Sequence, residues 1–329
     1  MSDQPGILNH TNICSYRLSV TTRAEHLLSL CAVEGASWHV IAREAQRARG
    51  LEQLLAGEIA ERSQEGRDTT KALRAAVDTG LATQLGRARD EIAKASAAGA
   101  ELVTVLDDAY PANLRVIYNL PPFLFYRGTL KRGDARSIAV VGTRTASADG
   151  LAAARRMAGL LVDAGVTVLS GLAIGVDTAA HEEALTRGGR TIAVLGTGIL
   201  HCYPKQNASL AERIADSGAL VSQFWPSQSP ARYTFPRRNV VTSGMAQGTV
   251  VIEASSTSGA KMQARLALEH GKQVFLISQL VTSQPWARKY LERGAIEVRT
   301  VDDVLNRLRS SEQVEELTAG RRQLVLEFG

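Results

Sequence analysis

Hydrophobic positions along this chain change character twice. From residue 22 to about residue 98 they recur at helical spacing. Thr22 and Glu25 have the spacing of a capping box, Leu27, Leu28 and Cys31 then line one face, and Gly35 ends the segment. A second helix is predicted over 38–48, closed by Gly50, and a longer one over about 85–98. The polar run 62–70 between them reads as a loop, and residues 1–20 as a loose leader. The first third is thus expected to be a small helical bundle.

The next stretch is mixed. A strand is predicted over 103–106, a turn into a short helix from 107–111, and a second strand over 123–126 after Pro121-Pro122. Beyond it, short β-branched runs alternate with helical patterns. Strands are predicted at 138–141, 166–169, 191–195, 219–222, 249–253, 273–277 and 295–298. Helices are predicted at 150–163, 176–187, 206–217, 237–246, 258–270, 286–293 and 301–309. Runs such as IAVV and TVVI are apolar without alternation, as strands buried on both faces must be. The predicted fold is α/β: a parallel, doubly wound sheet after a small helical amino-terminal domain. The boundaries are 1–100, 101–309 and a short tail, 310–329.

Composition narrows the class only slightly. The chain has 329 residues, 45% hydrophobic and 22% charged, the balance of a globular protein with room for two cores. Its net charge of +5 is compatible with a nucleic-acid partner without requiring one. Locally the bias is sharper: residues 227–252 hold no Asp or Glu but include Arg232, Arg237 and Arg238. The three cysteines, Cys14, Cys31 and Cys202, form no CxxC pair and no metal-ligand spacing, as expected of unpaired thiols in a reducing compartment. The amino terminus lacks a signal-peptide pattern and no run approaches the length of a membrane span. A soluble cytoplasmic protein without bound metal or cofactor is expected.

Candidate chemistry gathers where strands end. Gly142 lets the backbone approach a ligand, Thr143 can donate to a phosphate, and Arg144 offers a two-pronged fork, although the same turn is also an ordinary structural one. Ser170, Gly171 and Gly175 suit an anion-binding nest of backbone N–H groups. Asp177 and His181, four apart on one helical face, are an acid/base pair, a metal site lacking a third ligand, or a helix-dipole Asp bonded to a packing His. Gly196 opens a third turn, with Lys205 and Asn207 soon after; Lys205 is either a surface lysine or an anion contact. Pro236 is expected to rigidify a turn, after which Arg237, Arg238 and Asn239 place positive charge at a helix start. Glu253 at a strand end is a base, a ribose-hydroxyl acceptor, or an ion-pair partner for Arg144 or Arg238. Ser258 and Gly259 bind an anion or simply cap the next helix.

Taken in order, VVGTR, SGLAIGVDTAAH, VLGTGxxxxYPxxN, FPRRN, VVIEASxxSG, LALEHGKQVF and RGAIEVRTVDDVL resemble the DNA-processing protein A family, DprA or Smf, over about residues 100–309. The resemblance implies an extended Rossmann-like domain that binds single-stranded DNA without strong sequence preference, dimerises, and helps load a RecA-type recombinase in DNA uptake; no turnover is implied. It implies phosphate contacts by Arg144 and Lys205, and backbone or base contacts by Arg237, Arg238 and Asn239. Gly142, Ser170, Gly171 and Gly196 would then shape the pocket. The chain departs from the family at Ala260-Lys261-Met262-Gln263, at Gln223, at Ser278-Gln279 and around Trp286 and Lys289, and shows no winged-helix pattern at its end. A defence-related paralogue is one expectation from these departures. The alternative class is a nucleotide N-glycoside hydrolase-like enzyme or sensor on the same fold, for which Gln247-Gly248-Thr249 and Glu253 are a loose echo.

Overall fold

The structure, a computed structural model, describes residues 22–328. The expected leader and Cys14 lie outside the described residues. Five helices come first: α1 (Arg23–Cys31), α2 (Trp38–Ala45), α3 (Gly50–Leu55), α4 (Gln64–Thr79) and α5 (Ala82–Ala97). The capping box is present, with the Thr22 hydroxyl accepting from Glu25 N–H and the Glu25 carboxylate accepting from Thr22 N–H. The run 62–70, expected to be a loop, instead opens α4. Ser63 caps it through Gly66 N–H, and its buried face is Gly66, Thr69, Leu73 and Ala76. Leu73 alone of these four is large and apolar, which hides the helical period.

The sheet is built from β1 (Glu101–Thr104), β2 (Phe123–Gly128), β3 (Ser137–Val141), β4 (Thr167–Ser170), β5 (Thr191–Val194), β6 (Ala219–Ser222), β7 (Gly248–Val251), β8 (Gln273–Ile277) and β9 (Ile296–Val298). Their spatial order is β1-β2-β6-β5-β4-β3-β7-β8-β9. The pairs β1–β2 and β2–β6 are antiparallel and the rest parallel, with Ala139 opposite Leu169 on one side of β3 and Val140 opposite Val250 on the other. Helices α6 (Ala148–Asp163), α7 (Val176–Thr186), α8 (Ala208–Ser217), α9 (Thr234–Met245) and α10 (Gly259–Glu269) connect the parallel strands. Residues 138–140, 168–169 and 192–193 are fully buried, because helices cover both faces. From β3 the chain winds outward one way to β6, then returns to place β7 on the other flank of β3. The gap between the carboxyl ends of β3 and β7 is therefore a topological switch point.

Two details differ from expectation. Helix α9 begins at Thr234, so Pro236 lies inside its first turn, where a missing N–H costs nothing. A short helix, α11 (Ser278–Ser283), follows β8 directly, before α12 (Pro285–Leu291) and α13 (Asp302–Leu305). The tail forms α14 (Ser311–Phe328), which packs near 3-10 turns at Ala112–Leu114 and Arg132–Ala135, with Arg132 and Glu315 3.6 Å apart. Trp38 of α2 packs tilted against Phe123 of β2 at 5.0 Å and meets Trp225 edge-on at 6.0 Å, which joins the helical region to the sheet. Among the described residues, no helix is long and apolar enough to cross a membrane.

Candidate nucleic-acid interface

An open cleft of about 360 Å³ lies at the switch point, floored by the turns after β3, β4 and β7 and walled by α9 and α10. The turn after β3 is pinned on both sides. Thr143 N–H donates to the Glu253 carbonyl at 2.6 Å, and the Thr143 carbonyl accepts from Val176 N–H at 3.3 Å. Gly142 packs against the Val176 side chain with no room for a Cβ. Gly175 has φ +85° and faces the carbonyl oxygens of Thr143 and Arg144, so both its conformation and its surroundings demand glycine. This bracing leaves Arg144 exposed at the mouth of the cleft, its guanidinium 5.4 Å above the Phe235 ring. Phe235 in turn lies 5.6 Å from Tyr203, and Gly196 leaves space for its edge.

The second arginine plays a different part. Arg238 is buried, and its Nη1 donates to the Gly171 carbonyl and, at 3.0 Å, to the Val194 carbonyl. Its Nε donates to Asn239 Oδ1 at 3.1 Å. Burial pulls the Arg238 pKa below its ordinary value, and Asp177 pulls it back up. The nest expected after β4 is already filled: Asp177 Oδ2 accepts from Gly171 N–H at 3.1 Å and Ala173 N–H at 3.3 Å. Burial raises the Asp177 pKa, and the field of Arg238 opposes the rise. Ser170 lies beneath the rim, with its hydroxyl donating to the Val140 carbonyl at 2.7 Å.

His181 does not bond Asp177. Its Nδ1 lies 2.7 Å from Thr191 Oγ1, and that hydroxyl donates to the Val168 carbonyl, so Nδ1 carries the proton. Burial, and then Arg238, push the His181 pKa down to about 3. The acid/base and metal readings of this pair lose their geometry. Among the described residues, no group of His, Cys, Asp and Glu is placed to hold a metal ion.

The other candidates divide between surface and scaffold. Lys205 is exposed and has no ion-pair partner among the described residues. Arg237 points away from the cleft, 5.4 Å above the Trp38 ring. Buried Asn207 donates to the Leu172 carbonyl and to Thr178 Oγ1, which holds the turn after β4. Glu253 pairs with neither arginine; its Oε2 accepts from Ser147 N–H and Oγ at 3.1 and 2.7 Å, at the entry to α6. Ser258 caps α10 through Lys261 N–H at 3.2 Å, and Gly259 lies beside it at the cleft wall.

Several cleft residues were not singled out from sequence. Phe235 and Tyr203 stood inside the quoted FPRRN and YPxxN motifs, and their aromatic character was the available signal. Gln263 stood only among the departures from the family; with its amide oriented to satisfy both groups, its nitrogen donates to the Asn239 carbonyl and its oxygen accepts from Ser243 N–H, each at 3.1 Å. The departures near Trp286 have a shared role. Trp286 Nε1 donates to the Ala254 carbonyl at 3.3 Å and Lys261 Nζ to the Ser256 carbonyl at 3.0 Å, so both hold the turn after β7.

Comparison with known proteins agrees with this architecture. Residues 101–309 match the family model of DNA recombination-mediator protein A. The chain is 38% identical over 204 residues to DNA processing protein DprA of Streptococcus pneumoniae, covering 61% of this chain and 72% of that protein. It is 37% identical over 210 residues to protein Smf of Escherichia coli, covering 63% of this chain but 56% of that protein. The solved structure of the pneumococcal protein superposes with a TM-score of 0.70 at 29% identity, over 88% of this chain and 99% of that one. DNA processing protein A of Helicobacter pylori, solved for its single-stranded DNA binding mode, shares the fold with a TM-score of 0.56 at 24% identity, over 63% of this chain and 94% of that one. With most of its sheet domain inside the match, the chain belongs to the DNA recombination-mediator protein A family.

Proposed function

We propose that this chain binds single-stranded DNA along the carboxyl-end rim of its sheet, without turnover. The observation that carries the reading is the exposed Arg144 guanidinium held over Phe235 at the mouth of the switch-point cleft. A cation for phosphate and an aromatic ring for a base stand together there, the two elements by which single strands are gripped. Lys205 extends the positive edge. Of the carboxylates nearest the cleft, Asp177 accepts from Gly171 and Ala173 N–H, and Glu253 turns toward Ser147 at the entry to α6. Family membership and the fold shared with the H. pylori protein support the same reading. Helping a RecA-type recombinase onto the strand, and acting as a homodimer, are the parts of the proposal that come from the family alone.

The test is fluorescence anisotropy with a labelled single strand, titrated with protein across salt concentrations and repeated with duplex. Salt-sensitive binding that prefers the single strand is the expected result, with log K falling by about 0.7 per phosphate neutralised for each unit of log salt. No binding at low salt defeats the proposal. Saturable binding of nucleoside monophosphates in place of the strand would move the site to the hydrolase-like class.

A further inference from the structure

A second cleft of about 390 Å³ opens beside the first, and the two share Thr143 and Ser255 as a common wall. It lies on the β8 side of the switch point, between the entry to α6 and the helix α11. Its chemistry is opposite to that of its neighbour. No Lys or Arg lines it; its polar groups are hydroxyls, the amides of Gln279 and Gln284, and the carboxylate of Glu253. A phosphate finds no cation in such a place and meets a like charge. A neutral, flat group with N–H donors fits it, and its volume lies within the roughly 300–1,000 Å³ of small-ligand sites.

Glu253 is the informative group. Its Oε2 is filled by the N–H and hydroxyl of Ser147, whereas among the described residues Oε1 has one long contact, 3.4 Å from Ser147 N. A carboxylate only accepts hydrogen bonds, so Oε1 retains capacity for an incoming N–H donor. The side chains of Gln279 and Gln284 make no hydrogen bond among the described residues, and each can donate to a ring nitrogen or carbonyl. Leu280 and Ala254 supply apolar wall.

We propose that this second cleft seats one base of the bound strand and selects bases bearing an exocyclic amine over thymine and uracil. The inference rests on the single-strand reading above. Cytosine presents its 4-amino group to Glu253 Oε1 and its N3 and O2 acceptors to the glutamine amides. Uracil presents a carbonyl oxygen to the carboxylate at the same position, and two acceptors repel.

Oligodeoxycytidylate and oligodeoxyuridylate of equal length differ only on this edge, so anisotropy with the two strands at mildly alkaline pH is the direct test. The wild-type protein is expected to bind the cytosine strand about five- to tenfold more tightly, the net worth of about one hydrogen bond. In Glu253→Gln, whose amide can also donate, the two affinities converge. Tight but equal binding of both strands by the wild-type protein overturns the base site and leaves the single-strand reading intact. Failure of both strands to bind defeats that reading instead. Should Glu253→Gln not fold without its full grip on Ser147, Gln279→Ala on the exposed start of α11 replaces it. Narrowed discrimination there supports the site, and undiminished discrimination overturns it.

Discussion

Arg238 and Asp177 grip Gly171 from opposite ends: the guanidinium bonds its carbonyl, and the carboxylate takes its N–H. The floor of the cleft is thus a fixed peptide, and the site presents geometry set before any ligand arrives. Arg238→Ala would strip the Gly171 and Val194 carbonyls of their donor and leave Asp177 buried without its compensating field. The expected cost is about 2–4 kcal/mol of folding stability, from unsatisfied buried groups. Denaturant unfolding checks it. A variant as stable as the wild type would show that the buried guanidinium is not the support described.

Arg144→Ala is the cleaner probe of strand contact. Arg144 is exposed and its neighbour contact is the face of Phe235, so stability should change by no more than about 0.5 kcal/mol. Single-strand affinity should fall for all sequences, with the slope of log K against log salt shallower by about 0.7, one phosphate's worth. An unchanged slope would place the phosphate path away from this rim.

The contrast between Arg237 and Arg238 also marks the limit of what the amino-acid order reveals. The parallel sheet was legible because strands covered on both faces must be apolar throughout, as in 138–141, and glycine turns punctuate them. The clustering of Arg144, Gly171 and Asn239 at one rim followed from that topology. Neighbouring residues on a helix, however, point about 100° apart. One arginine of the pair therefore lies over Trp38, distant in sequence, and the other beneath Gly171. Nothing local in FPRRN distinguishes them. The nest after β4 was recognised as an anion site, but its anion is the chain's own Asp177, which only the fold of the turn reveals. Helix α4 is masked in the sequence for a different reason, since Gly66 and Thr69 occupy positions on its buried face where apolar residues would show the period.

His181 predicts a pH dependence. Its pKa is about 3 in the folded protein against an ordinary 6.5, so the unfolded chain binds a proton that the native state refuses. Stability from this group is fully present above pH 6.5 and is lost as pH falls toward 3, at about 1.4 kcal/mol per pH unit. His270, pushed down to about 4 by burial and then by Lys272, acts in the same direction. Asp177, whose pKa burial raises, acts against them, because the folded state welcomes its proton. The His181 share is isolated by comparing urea unfolding of wild type and His181→Ala between pH 7 and pH 5. The variant should be less stable at pH 7 and its stability should fall less steeply, by about one proton's worth, with strand affinity little changed. Parallel pH profiles for the two proteins would contradict the buried, neutral imidazole.

Gly175 should be the least replaceable residue of the rim. At φ +85° an alanine is strained, and its Cβ would collide with the carbonyl oxygens of Thr143 and Arg144, which are backbone atoms that cannot swing aside. Relief requires moving the β3 turn, and with it the bonds that join Thr143 to Glu253 and Val176. Gly175→Ala is therefore expected to lose about 2–4 kcal/mol of stability. It should also weaken strand binding beyond the loss seen in Arg144→Ala, because Thr143 and Arg144 are both displaced. Gly165→Ala provides the control: φ is +68° there too, but the added Cβ meets nothing within 4 Å, so only the conformational part of the penalty applies. Equal destabilisation of the two variants with wild-type strand affinity in both would show that the contact between Gly175 and the β3 turn does not shape the site.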